Sequence, residues 1–226
     1  ELARRLIRRA QREYLPAGFD ADTHLTPPYD PWDQRLCMVP DGDLFTAVAA
    51  GRASIATDTI ERFEPTGVRL ASGRVLDADV VVTATGFTLN PLGGVELLVD
   101  DVPVGMGDTV TYLGAMLSDV PNMAFVVGYT NAAWTLKADL VSIFVCRLLD
   151  HMDKKGYRVV TPQPPPPADT ARRPIIDFRS GYVTRSLSAL PQQGSRIPWR
   201  LFQNYPLDVA LFRYRPIDAK GLRFTT

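Results

Sequence analysis

D-A-D-V-V-V-T-A-T-G-F, residues 77–87, is the stretch on which the fold turns. Val80, Val81, Val82 and Thr83 make an apolar, β-branched run, which predicts a short buried strand. The run then breaks into the small residues Ala84, Thr85 and Gly86. A β-branched run closed by small residues is how a central strand of a parallel sheet ends at a ligand. Glycine allows close backbone approach, and ligands of open α/β sheets sit beyond the carboxyl ends of the strands.

Upstream of this run the pattern alternates between helix and strand. Leu2, Leu6, Ile7 and Ala10 fall on one stripe of a helix over residues 2–14, with Arg4, Arg5, Arg8, Arg9 and Arg12 around the rest. Residues 20–42 form a Pro- and Asp-rich connection. Asp41-Gly42 is a turn, Asp43 is placed to N-cap a helix over residues 44–50, and Gly51 closes it. Residues 54–57 and 59–63 read as strand. Residues 68–70 and 74–76 flank Ser72-Gly73 and predict a hairpin.

Downstream of Asn90, residues 123–127 read as a second buried strand ending at Gly128. A long helix follows from about Ala132 or Ala133, its core face built from Leu136, Leu140, Ile143, Phe144, Leu148 and Met152. Lys154 and Lys155 complement its C-terminal dipole and Gly156 ends it. Residues 162–167 hold five prolines, which predicts an extended connector. The tail, residues 175–224, is irregular.

Composition narrows the function classes. The chain has 226 residues, 46% of them hydrophobic, enough for a real core. Lys+Arg and Asp+Glu are both 25, so the formal net charge is zero. No global field exists to recruit nucleic acid or an acidic membrane. Two histidines and two cysteines without C-x-x-C spacing argue against a structural zinc site. No apolar run reaches the length of a spanning helix. These features predict a reduced, cytoplasmic protein, with peripheral membrane contact through aromatics such as Phe202 or Phe212 left open. The chain opens on Glu1 inside an amphipathic pattern, which is read as a piece of something longer.

Two stretches can carry chemistry. The first is G-Y-T-N-A-A-W-T-L, residues 128–136. A strand running into glycine, then a helix with Thr130 and Asn131 as caps, points backbone N–H groups and a positive dipole end at whatever lies beyond. Trp134 there either plugs the core or lines a pocket. The second is residues 194–200, G-S-R-I-P-W-R, with Asn204 and Tyr205 after it. Trp199, with its flanking arginines and Asn204, could clamp a nucleotide or could anchor the C-terminal segment. No P-loop, G-x-S-x-G or H-E-x-x-H is present. Arg35 near Cys37 could lower a thiol pKa, but a buried inert thiol is the plainer reading.

Together with D-P-W-D-Q-R-L-C-M-V-P-D-G-D-L at residues 30–44, Pro121-Asn122-Met123 and residues 193–204, these stretches closely resemble the C-terminal portion of class B flavoprotein monooxygenases. The branch is the Baeyer–Villiger type that includes the ethionamide-activating enzymes. The resemblance implies an α/β architecture, part of a two-dinucleotide (FAD/NADP) Rossmann-like fold. Residues 1–86 would close the NADPH domain, and residues 87–226, with the connector at 162–167, would close the FAD domain. It implies FAD and NADPH as cofactors, and oxygen transfer from O₂ to a ketone or to a sulfur or nitrogen centre. The substrate would be a small ketone, thioether or thioamide. Catalytic residues and both G-x-G-x-x-G fingerprints are expected ahead of residue 1, in the missing N-terminal half of the same enzyme. This chain alone would then be inactive.

By the same resemblance, Thr85 and Gly86 link the two cofactor domains. Gly128, Tyr129, Thr130 and Asn131 face the pyrimidine end of the flavin, with backbone N–H groups around Trp134 and Thr135 stabilising its negative charge. Trp199 and Asn204 match a loop that closes over NADP in relatives, although the usual Gly-Lys does not follow Asn204. The rival readings are a flavoprotein oxidoreductase without oxygenation and an inactive module that binds a partner through the Pro tract or the basic helix.

Overall fold

The computed structural model describes residues 2–31, 33, 34, 39, 41–169, 171–176 and 178–226. Cys37 and most of the W-D-Q-R-L-C run lie outside the described residues. The chain divides into two compact units, Glu1–Gly86 and Phe87–Thr226.

In the first unit, α1 spans Leu2–Tyr14. Its apolar stripe is not covered, since Leu2 and Leu6 are exposed. Its arginines instead make surface ion pairs, Arg4 to Asp30 at 3.0 Å and Arg8 to Asp22 at 3.6 Å. The short α2 (Ala21–His24) is capped by Asp20, whose carboxylate accepts from the Thr23 N–H at 3.0 Å. In α3 (Asp43–Ala49) the cap differs from the expected one. Gly42 takes the N-cap position with φ +66°, and Asp43 becomes the first helical residue. Its carboxylate then faces the dipole from within the first turn.

Three strands follow, β1 (Ile60–Glu64), β2 (Gly67–Leu70) and β3 (Val75–Asp77), in sheet order β1-β2-β3, antiparallel throughout. The β2–β3 hairpin turns through Ser72-Gly73 as expected, with Gly73 at φ +87°. Residues 54–57 are not strand. Gly67 sits where a Cβ would lie 2.0 Å from the Leu76 carbonyl oxygen, so the close β2–β3 approach requires glycine there.

The predicted buried strand at residues 80–83 does not form. The segment is unpaired and Val80 and Val82 are 78% and 84% exposed. The physical reason is the missing ladder. A central strand needs hydrogen-bonded neighbours on both sides. The ladder of this unit ends at Asp77, and no described strand pairs with residues 80–83. Residues 123–127 likewise form no strand; the Phe125 N–H reaches the Ala115 carbonyl at 2.8 Å, and exposure alternates along the segment. Every ladder between named strands is antiparallel. The structure is thus a mixture of helix and strand, and the described residues form no parallel sheet at residues 80–83.

The second unit is organised by α4 (Trp134–Lys155), which runs for 22 residues. It packs on α6 (Tyr205–Tyr214) and on the antiparallel pair β8 (Val159–Pro162) and β11 (Leu222–Thr225). Leu140, Phe144, Leu148 and Met152 are buried as expected. Ile143 is half-buried and Leu136 is exposed, because the first turn of α4 stands clear of the core. Gly156, at φ +71°, ends the helix with its N–H on the Asp153 carbonyl. Phe144 and Phe212 meet edge to face at 5.8 Å between centroids. Arg147 of α4 donates to the carbonyls of Phe212 and Arg215, satisfying orphan acceptors at the end of α6.

Smaller pieces complete the unit: the hairpins β4 (Leu98–Val99) with β5 (Val102–Pro103) and β6 (Thr111–Tyr112) with β7 (Met116–Leu117), and the pair β9 (Arg173–Pro174) with β10 (Gln192–Gln193). A short α5 covers Gly181–Ser186. The tail expected to be irregular therefore contains α5, α6 and β11. The proline tract is docked rather than free, with Pro162 and Pro165 buried and Gln163 bonded through its N–H to the Gly221 carbonyl at 2.8 Å.

Candidate functional site

The start of α4 is exposed. Its N-cap residue is Ala133, no side chain caps it, and its first turn carries no acidic residue. A 22-residue helix concentrates positive potential and unsatisfied N–H groups at such an end. Trp134 is 53% exposed and Thr135 and Leu136 are exposed beside it. Thr130 and Asn131, expected to cap the helix, do something else. Gln203 Oε1 accepts from the Thr130 N–H at 2.9 Å and from its hydroxyl at 3.3 Å, and the Asn131 amide donates to the Gln203 carbonyl at 3.0 Å. The two side chains tie the turn to the segment before α6, which leaves the helix end uncapped. Gln203 holds this position with φ +51°, a conformation rarely adopted by a non-glycine residue and one that its three hydrogen bonds maintain.

Gly128 is buried, and its identity is dictated by Trp134. A Cβ on Gly128 would lie 2.1 Å from Trp134 Cγ, a distance that non-bonded carbon atoms do not tolerate. The glycine is therefore a cradle for the near edge of the indole. The Trp134 ring is seated on the backbone at its base and open to solvent at its outer part.

Behind the turn lies a buried polar cluster that sequence reasoning missed. The Tyr129 hydroxyl donates to Asp208 Oδ2 at 2.6 Å, and Lys137 Nζ donates to the same oxygen at 2.9 Å. All three side chains are essentially inaccessible. The ammonium also lies 4.2 Å from the centroid of Phe212. Burial first, then the Asp208 carboxylate, pushes the Tyr129 phenol above its ordinary pKa. Burial pulls the Lys137 ammonium down, against the opposing pull of the Asp208 charge. The cluster joins the turn, α4 and α6 into one rigid support for the helix start. A signal existed: Lys137 falls on the same helical face as Val141, Phe144 and Leu148, and a lysine on an apolar face requires a buried partner.

The remaining expected site residues sit elsewhere. Thr85 and Gly86 are exposed at the end of the first unit, Gly86 at φ +114°. Trp199 is 5% exposed and its indole N–H donates to the Gln163 carbonyl at 2.8 Å, the anchor reading of that residue. Asn204 is the N-cap of α6, its Oδ1 accepting from the Leu207 N–H at 3.0 Å. Trp199 and Asn204 thus hold structural roles here, as an anchor and as a helix cap. The loop between them and β10 is held by Asp169, which accepts from the Ser195 hydroxyl at 2.7 Å; that hydrogen bond, followed by the Ser195 N–H and nearby arginines, keeps its carboxyl below the usual range. Cys146 is exposed, and no helix among the described residues is long and apolar enough to cross a membrane.

Comparison with known proteins identifies relatives of most of the chain. The chain is 55% identical to the FAD-containing monooxygenase EthA of Mycobacterium tuberculosis (strain ATCC 25618 / H37Rv) over 210 residues, 93% of this chain and 43% of that protein. It is 50% identical to EthA of Mycolicibacterium smegmatis over 97% of this chain and 44% of the relative. It is 45% identical to the probable FAD-binding monooxygenase AlmA of Acinetobacter baylyi over 89% of this chain and 40% of the relative. The chain therefore spans less than half the length of these relatives. No family model matches it, and no solved structure matches it.

Proposed function

We infer that this chain, which belongs to the FAD-containing monooxygenases, supplies the surface that meets the electron-rich edge of FAD in a larger NADPH-dependent monooxygenase. The observation that carries this reading is the uncapped start of α4, where Gly128 cradles Trp134 and the backbone N–H groups of the first turn are free of side-chain caps. That donor set fits the pyrimidine end of an isoalloxazine ring, which accepts hydrogen bonds and gains negative charge on reduction. FAD, when bound, would supply the oxygen chemistry. The chain's own residues would orient it. Gly128, Tyr129, Thr130 and Asn131 form the turn, Trp134 and Thr135 present N–H groups, and the Trp134 indole borders the substrate. Tyr129, Lys137 and Asp208 hold these parts still without touching the ligand.

On this reading residues 1–86 close an NADPH domain, residues 87–226 close an FAD domain in a Rossmann-like two-dinucleotide architecture, and Thr85-Gly86 is the crossing between them. The exposure of Val80 and Val82 supports a strand whose ladder partners belong to the rest of the enzyme. The whole enzyme would transfer one oxygen from O₂ to a ketone or to a sulfur or nitrogen centre of a small molecule.

The chain contains no G-x-G-x-x-G loop to cradle a pyrophosphate. Purified alone, it is expected to release added FAD on gel filtration; retention of one FAD per chain would contradict this. In the whole enzyme, FAD is expected to slow amide hydrogen exchange at Trp134 and Thr135. Unchanged exchange at both, with FAD bound, would overturn the assignment of this surface.

A further inference from the structure

Beside the turn, with Thr130 in its lining, lies a cleft of about 340 Å³. Arg173 and Arg200 line it, together with Thr130, Gln203, Phe202 and Ile175. The volume is at the small end of small-molecule sites, which run from roughly 300 to 1,000 Å³. Its polar chemistry is one-sided. Neither guanidinium has an acidic partner or a hydrogen-bond acceptor among the described residues; Arg200 rests over the Phe202 ring at 5.0 Å from its centroid. The side-chain oxygen of Gln203 is engaged by the Thr130 N–H, which fixes the amide orientation and leaves its NH₂ as a donor without an acceptor among the described residues. Gln193, which also lines the cleft, is already satisfied at both ends, by the Leu201 N–H and the Pro174 carbonyl.

Three donors and two uncompensated positive charges, with no carboxylate among the residues lining the cleft, are the complement of a doubly charged oxyanion. A carboxylate would leave one positive charge unmatched. The apolar wall of Pro174, Ile175 and Phe202 suits a small organic group attached to that anion.

We propose that this cleft binds the phosphate of a small phosphate monoester through Arg173, Arg200 and the amide of Gln203. The site is coupled to the start of α4 through Gln203, whose other end holds the Thr130 N–H. The proposed ligands Arg173, Arg200 and Gln203 are not among the residues assigned to FAD, so the proposal can fail while the flavin reading survives.

The test is titration of the purified chain with inorganic phosphate, ribose 5-phosphate and acetate, followed by calorimetry and by the amide resonance of Thr130. Saturable binding of phosphate is expected, with ribose 5-phosphate binding at least as tightly and acetate more weakly, and with the Thr130 resonance moving in step. Arg173→Gln and Arg200→Gln should each weaken phosphate binding by about 10- to 100-fold, the loss of one charge-assisted hydrogen bond. Arg223→Gln, on an exposed position of β11, should leave it unchanged. Inorganic phosphate binding tightly while ribose 5-phosphate is excluded would replace the monoester by the free ion and so overturn the proposal. Non-saturable binding, acetate binding as tightly as phosphate, or full affinity in both folded arginine variants would overturn it as well.

Discussion

Replacing Asp208 with alanine is expected to destabilise the unit Phe87–Thr226 by about 3–5 kcal/mol, the cost of leaving one member of a buried ion pair without its partner. Two donors converge on that carboxylate, the Tyr129 hydroxyl at 2.6 Å and the Lys137 ammonium at 2.9 Å. Both donors are closed off from water, so no solvent replaces the lost acceptor. Urea unfolding followed by far-ultraviolet circular dichroism measures the effect. The double replacement Asp208→Leu with Lys137→Met should recover much of the loss, because an apolar pair carries no desolvation cost. If Asp208→Ala unfolds like the wild type, the cluster is not the support described here.

The same cluster sets a pH dependence with a defined sign. An unfolded tyrosine ionises near its ordinary value of 10.0, whereas the folded Tyr129 phenol keeps its proton above that. The folded state then binds more protons than the unfolded one, and Tyr129's contribution to stability is lost as pH rises past 10.0. Lys137 acts in the opposite sense. Its folded pKa is lowered, so its contribution grows as pH rises from that value toward 10.5. Tyr129→Phe isolates the first effect, and its stability should fall less steeply than that of the wild type above pH 10.0.

The second large effect is expected at Phe212. Its side chain is fully buried, meets Phe144 at 5.8 Å and receives the Lys137 ammonium over its face at 4.2 Å. Phe212→Ala should cost about 3–5 kcal/mol, from lost burial together with the cavity left between α4 and α6. The midpoint of urea unfolding should fall with its slope unchanged. Because Phe212 and Asp208 share Lys137, their two losses should not add; a double variant is expected to lose less than the sum.

These elements also show what could be read from residues alone and what could not. The α1 and α4 helices and the β2–β3 hairpin are local in origin, set by periodicity, a C-terminal glycine and a Ser-Gly turn, and their sequences announce them. The start of α6 was equally local, with Asn204 as a cap and Pro206 in the first turn, but its aromatic content obscured the pattern. The valine run at residues 80–83 failed for the opposite reason. Its burial depends on neighbouring strands, and a run's hydrophobicity does not reveal whether they are in the same chain. At the candidate site, Gly128 and Trp134 stood out as a strand-end glycine and an aromatic at a helix start. The hydrogen bonds that Gln203 and Asp208 accept from Thr130 and Tyr129, in the turn between them, span 73 and 79 positions of chain, and no local pattern carries that information.

The central claim is that backbone donors at the start of α4 act on bound flavin, and Thr135→Pro tests it most directly. Proline removes the Thr135 N–H and is tolerated in the first turn of a helix, as Pro206 is at the second helical position of α6. In the whole FAD-loaded enzyme the variant should fold and bind FAD, while NADPH-driven flavin reduction slows by about 10²-fold, the effect of losing one preorganised donor. Reduction at the wild-type rate in a folded, FAD-loaded Thr135→Pro enzyme would contradict the account.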